Sequence, residues 1–290
     1  MKQNTTHFLR SPARSTISIL LCIASLSATA IERDGVSIGA GGFYSNINSG
    51  ISSTIVGRDN SQSGRISFES DLNMEETSAQ PIAKVQWDFK QRHHISLNYF
   101  NLDRKGSTFK VADFIIGDKT FKASAKLNSK LNLEFWQIKY GYAFYQTEVS
   151  EWGLTGGLHL INLDIGFNGT IATDINDGLS TDVGDDSTGF SSPVPLPNIG
   201  TYYNYKFAND FIVHLNAQYF DISVDSLDAS MFSLEGGVEY YPTPNISLYT
   251  GLSYYNVKAT YIQDIRRNLD INWDVKLKYW GPSIALNYHF

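Results

Sequence analysis

The chain has 290 residues, 23 Lys and Arg against 29 Asp and Glu, a formal net charge of −6, and 13% aromatic side chains. An acidic surface of this kind excludes nucleic acid as a partner, and a single cysteine excludes a disulfide framework. Beyond residue 30 no segment approaches the eighteen or so uninterrupted apolar residues of a membrane helix, yet Tyr, Phe and Trp number 17, 17 and 5.

Residues 1–30 read as a secretory signal peptide. Lys2, Arg10 and Arg14 supply a basic start, Ile17 to Leu26 an apolar stretch, and Ala28-Thr29-Ala30 a small-residue cleavage site. Cys22 lies inside this leader, after Leu21 rather than a small residue, which argues against lipid anchoring. Cleavage at Ile31 removes the only thiol, and twenty basic residues then face twenty-nine acidic ones. Residues 31–290 are expected to form one all-β domain. With no membrane helix available, crossing a bilayer needs a closed barrel, because lipid leaves backbone groups without water. A secreted β-sandwich is the soluble rival.

Alternating segments follow one another along the chain, and in a strand successive side chains face opposite ways. The first, Gly35 to Ser45, sets Val36, Ile38, Ala40 and Tyr44 against Ser37, Gly39 and Gly41. In the second, Ile82 to Phe89, Ala83, Val85 and Trp87 oppose Lys84, Gln86 and Asp88. A tight link, Lys90 to His93, leads to a third with Ile95, Leu97 and Tyr99 outward. The fourth, Leu131 to Tyr145, turns Trp136, Ile138, Tyr140, Tyr142 and Phe144 to one face, and the fifth does so with Trp152, Leu154, Leu158 and Leu160. Asn198 to Phe207 and Phe211 to Asp221 are joined by Ala208-Asn209-Asp210. Met231 to Tyr241 and Ile246 to Val257 meet at Pro242-Thr243-Pro244-Asn245, where proline suits a turn.

The tenth segment runs from Trp273 to Phe290. Its apolar residues fall on odd numbers at Trp273, Val275, Leu277 and Tyr279, then on even numbers at Ile284, Leu286, Tyr288 and Phe290. A one-residue slip exchanges the faces, so a β-bulge is expected at Trp280 to Pro282. The closing row Ile284, Leu286, Tyr288 and Phe290 resembles the assembly signal of Gram-negative outer-membrane β-barrel proteins, read by their barrel-assembly machinery. The resemblance implies an antiparallel up-and-down transmembrane barrel in the outer membrane, its last strand ending at the periplasmic rim, with membrane lipid and lipopolysaccharide around a monomer. Short links after the second, fourth, sixth and eighth segments and longer ones after the others agree with that direction. Ten strands result. Asn46 to Gln80 and Lys105 to Lys130 are each long enough to hide a further hairpin, which keeps twelve strands open, with eight as a lesser alternative.

Projected inward, Lys84, Lys139 and Lys206 meet Asp88, Glu235 and Glu239. Buried charges need partners, so these six are expected to cross a narrow lumen with salt bridges, or else to lie at wet rims. Crossing favours a plugged barrel of envelope type. The alternative is a small substrate-selective channel whose selectivity rests on the same charges.

The stretch from Gly166 to Pro197 holds Asp174, Asp177, Asp182, Asp185 and Asp186 without Lys or Arg. Asp174-Ile175-Asn176-Asp177-Gly178 looks like the start of a calcium loop, but the later spacing does not fit an EF-hand, and composition favours a solvated external loop. His94-Ile95-Ser96 is similar to the His-x-Ser pattern of barrel lipases, but it falls at a periplasmic turn, away from the outer rim where lipid substrates are met. No acidic-pair and Asp-His arrangement like that of the omptin proteases occurs at the loop ends. No enzyme activity, cofactor or metal is expected. The segment from Ile66 to Ser107 also resembles segments of proteobacterial outer-membrane barrels without a known activity. Its acidic start forms an external loop or folds inward as a partial plug.

Overall fold

The computed structural model describes residues 34–56, 61–109, 114–116, 119–121, 126–168, 171–172, 181–182, 194–224, 226–266 and 269–290. The leader and Asp174 to Gly178 lie outside the described residues. Ten antiparallel strands make a closed ring: β1 (Gly35–Val56), β2 (Thr77–Phe89), β3 (His93–Phe109), β4 (Lys126–Gln146), β5 (Ser150–Asn168), β6 (Val194–Ala208), β7 (Phe211–Val224), β8 (Leu227–Thr243), β9 (Ile246–Arg266) and β10 (Leu269–His289). Each pairs with its sequence neighbour, and β10 returns to β1 with Ile38 opposite Tyr288 and Ala40 opposite Leu286. Closure leaves no sheet edge facing lipid.

The turns after β2, β4, β6 and β8 mark one rim, called lower here. Lys90 and Gln91 both have positive φ, 51° and 61°, in the three-residue loop Lys90-Gln91-Arg92 that reverses the chain between Phe89 and His93. At the next turn the Thr147 N–H donates to the Ser150 carbonyl at 2.8 Å. Outward side chains form two aromatic belts. Near the lower rim Trp87 lies 4.7 Å from Phe89, Phe89 stacks on His93, Phe144 meets Trp152, and Phe211 meets Tyr240. Higher up, Tyr99 lies 4.6 Å from Trp136, and Trp280 and Tyr44 are exposed. Between Trp136 and Phe144, strand rise and tilt give about 20 Å, the height of a thin membrane's apolar band.

The expected bulge in β10 is absent. Pairing with β9 runs unbroken from Tyr254 opposite Trp280 to Leu252 opposite Pro282, and pairing with β1 keeps one register on both sides of Gly281. Tyr279 instead points inward and is buried, while Lys276 and Lys278 point outward. The apolar residues change face because the lumen at this level is apolar and the exterior is above the lipid band.

Two expected long links are also short. Only two residues separate Val224 from Leu227, and two separate Arg266 from Leu269, because β7 to β10 continue pairing past the upper belt. The suspected extra hairpins exist outside the ring. Ser61–Ser67 pairs with the upper half of β1, and Phe114–Ile116, Lys119–Phe121, Ile171–Ala172 and Thr181–Asp182 form a separate small sheet.

The core is the lumen itself. Phe43 and Ile47 (β1), Phe100 and Leu102 (β3), Leu133 and Phe135 (β4) and Tyr279 (β10) form one buried cluster, with Ile82, Ile161 and Tyr255 packed against it. Leu196, Phe220, Ala229 and Met231 from β6, β7 and β8 form a second cluster that shares Ile161. All ten strands therefore contribute to an apolar layer inside the ring. Above it the turn after Ser67 folds inward, with Phe68, Leu72 and Met74 buried.

Candidate lumen site

Beneath the apolar layer the inward positions become polar and enclose a cavity of about 840 Å³. Asn209, Asp210, Pro242, Pro244 and Asn245 from the lower turns line its mouth, and Phe43, Phe100, Phe135 and Tyr279 form its roof. The cavity opens downward and ends blind at the aromatic layer.

Lys84, Asp88, Lys139, Lys206, Glu235 and Glu239 all line this one space. Their inward parity follows from the lipid-facing residues beside them, such as Val85, Ile138 and Tyr205. The expected web of Lys–carboxylate bridges is not how Glu235 and Glu239 are held. Glu235 accepts the Tyr255 hydroxyl. Glu239 Oε1 accepts the Ser247 hydroxyl at 2.5 Å and the Asn287 amide at 2.7 Å, and His214 Nε2 lies 2.9 Å from Oε2. His214 Nδ1 reaches Asn204 at 2.7 Å, and Ser247 also contacts His289 Nε2 at 2.8 Å. One network thus joins β6 through β10. Asp88 accepts the Gln86 amide at 2.8 and 2.9 Å.

A second network lies just under the roof. Gln137 donates to Gln218 Oε1 at 2.6 Å across the interior from β4 to β7, and Asn198 donates to the same oxygen. Such bonds rigidify a lumen that water would otherwise fill. Near the lower mouth the His94 ring covers Gly141 and meets Tyr202 edge-on at 5.0 Å, and Tyr202 covers Gly153. His94 and Ser96, the lipase-like pair, are both buried inside the lower lumen, far from the upper rim.

Above the roof, Arg104 of β3 and Glu69 of the inward turn form an ion pair at 2.9 Å, with side chains 2% and 7% exposed. Glu69 also accepts the Ser49 N–H at 2.9 Å and the Ser49 hydroxyl at 2.7 Å. Arg104 donates to Ser49 Oγ at 3.0 Å and to the Glu75 carbonyl. The acidic start of the Ile66 segment therefore folds inward. The sequence carries no local signal for its partner, because Arg104 is an inward residue only by the continuation of β3 past Phe100.

Ile284, Leu286, Tyr288 and Phe290 form a single outward row, and the Phe290 N–H donates to the Val36 carbonyl at 2.9 Å across the ring's closure. Among the described residues no group of three or more His, Cys, Asp or Glu is arranged to hold a metal ion.

No protein-family model matches the sequence, and no curated protein does. Among solved structures the chain is similar to the outer membrane protease OmpT from Escherichia coli, with 12% identity over 88% of this chain and 97% of that chain and a TM-score of 0.51. It is also similar to the translocator domain of the autotransporter NalP from Neisseria meningitidis, at 10% identity, 88% of each chain and 0.43. OprG from Pseudomonas aeruginosa matches at 14% identity, 89% of this chain and 97% of that chain, and 0.34. The first likeness concerns the fold alone: the chain is an antiparallel β-barrel of the outer-membrane type.

Proposed function

We propose that this chain is an envelope barrel of the outer membrane whose lumen is closed to through-flow and accessible from the periplasm. The observation that carries the reading is the apolar layer to which all ten strands contribute, with the Arg104–Glu69 turn folded above it. An ion crossing that layer would exchange its hydration for a few neutral hydroxyl and amide groups, those of Tyr255, Tyr279, Ser45 and Gln80, in an otherwise apolar passage. The leader is removed on export, the row ending at Phe290 engages the assembly machinery, and the monomer sits in lipid and lipopolysaccharide. No catalytic step is assigned. Lipid and peptide hydrolase assays are expected to stay at background, and turnover of either substrate would refute that part. Planar-bilayer recording of the purified protein tests the main reading: membranes stay silent, whereas a large, steady, weakly selective current would refute it.

A second reading, a substrate-selective channel, is favoured by the size and charge of the cavity below the roof. It requires the roof to move during passage. Liposome swelling with a panel of small solutes separates the two, since a selective channel admits a few solutes and a closed barrel none.

A further inference from the structure

Lys84 and Lys139 stand apart from the other charges of the cavity. Among the described residues neither ammonium group has a hydrogen bond or an ion pair, although both face the same enclosed space and each is the other's charged neighbour. The carboxylates that face them take hydrogen bonds from other groups. Glu239 is held by Ser247, Asn287 and His214. Glu235, the negative charge facing Lys139, takes the Tyr255 hydroxyl. Two like charges that face one another in a space walled by protein repel, and an anion entering between them relieves the repulsion and accepts a hydrogen bond from each ammonium group.

The surroundings also choose the anion's body. Asn98 and Gln137 separate the two lysines in the wall and bond each other at 2.9 Å, offering a neutral polar surface. One inward position above Lys84 is Ile82, and one above Gln137 is Phe135, both part of the apolar roof. A ligand with its charge at the lysines therefore rests its other end on Phe100 and Phe135. The volume lies within the roughly 300 to 1,000 Å³ typical of small-molecule sites.

We propose that the cavity is a binding site, entered from the lower rim, for a small organic carboxylate: the carboxylate is held by Lys84 and Lys139, and an aromatic or short aliphatic body rests against the roof. The proposal deepens the closed-barrel reading by giving the blind cavity an occupant, but it is tested by binding, which is read independently of conductance.

The experiment is isothermal titration of the full barrel in neutral detergent with sodium benzoate, sodium octanoate and sodium phosphate at constant ionic strength, against empty-micelle blanks. Saturable heat is expected for benzoate or octanoate, with phosphate binding at least tenfold more weakly; the better of the two carboxylates tells a soluble aromatic source from a lipid-derived one. K84M/K139M is expected to weaken carboxylate binding at least tenfold, and K84R/K139R to keep it within about threefold. K278M, which removes an outward lysine over Tyr254, is expected to leave it unchanged. Heat-modifiable gel migration checks that each variant folds; if K84M/K139M does not, K84Q and K139Q alone are each expected to weaken binding at least threefold. No saturable heat with either carboxylate, equal affinity for phosphate, or full binding in the folded lysine variants would overturn the proposal. A conducting barrel that still binds benzoate through the two lysines would support it while refuting the closed-barrel reading.

Discussion

Phe100 of β3 and Tyr279 of β10 stack inside the barrel with ring centroids 5.6 Å apart and planes within 11°, although β1 and β2 lie between them in the wall. Three strand spacings amount to about 14 Å along the sheet. The two rings bridge that span through the interior, and Phe43 completes the group edge-on to both, at 6.2 Å and 6.0 Å. A bridge of this kind is both a packing core and a barrier.

Removing the bridge should therefore change transport and stability together. Truncating Phe100 in a filled core costs about 3 to 5 kcal/mol, and F100A/Y279A leaves a larger void. The double variant is expected to unfold at lower denaturant and to show discrete conductance steps in planar bilayers where the parent is silent. Continued silence in a correctly folded double variant would mean that the upper turn and the second cluster close the lumen without the roof.

The glycines of the lower lumen give a sharper packing test. A Cβ on Gly153 would lie 2.3 Å from the Tyr202 ring, and one on Gly141 would lie 2.0 Å from the His94 ring, whereas one on Gly42 would meet nothing nearer than 3.9 Å. Since Tyr202 and His94 also pack on each other, neither ring can move alone. G153A and G141A should each destabilise the barrel by about 1 to 3 kcal/mol. G42A should be neutral or slightly stabilising, because alanine limits the unfolded chain. Urea midpoints of the three variants check the order, and a G42A loss equal to that of G153A would contradict the packing account.

Alternation and link parity made the ring legible, because a lipid face and a polar lumen give opposite signals at neighbouring residues. Val85 beside Lys84 and Ile138 beside Lys139 are such pairs, and all six projected lumen charges line one cavity. The signal fails where both faces are apolar. Tyr279 satisfies an inward roof as well as a lipid belt, so periodicity alone does not distinguish the two and points to a bulge where the chain has none. Strands that rise above the bilayer also lose the contrast, which is why the ends of β7 to β10 looked like loops. The Arg104–Glu69 pair depends on the chain folding back over the lumen, and no local pattern encodes that.

Lipid contact predicts a depth-dependent cost for outward charge. Ile138 lies between the two aromatic belts and is 49% exposed, whereas Tyr145 lies at the lower belt and is 52% exposed. Arginine at the bilayer midplane of a barrel costs about 2 to 4 kcal/mol, and near the interface about 0 to 1. I138R should therefore lower the stability of liposome-folded protein by that larger amount and Y145R by the smaller. A soluble barrel would tolerate both exposed positions alike, so equal effects would argue against a membrane-spanning wall.

The buried pair above the roof allows its own test. Arg104 and Glu69 are almost wholly removed from solvent, so deleting one partner leaves the other charge uncompensated, at a cost of about 3 to 5 kcal/mol. R104M and E69L should thus each destabilise the protein strongly, with R104M the worse because it also removes the bonds that Arg104 donates to Ser49 and the Glu75 carbonyl. Replacing both charges in R104M/E69L removes the desolvation penalty along with the attraction, so the double variant should recover much of the loss. The coupling energy from a double-mutant cycle, read from guanidinium unfolding by tryptophan fluorescence, is expected to exceed 1 kcal/mol, the upper range of an exposed pair. Additive effects would mean that the inward turn is held by Phe68, Leu72 and Met74, with the ion pair incidental to it.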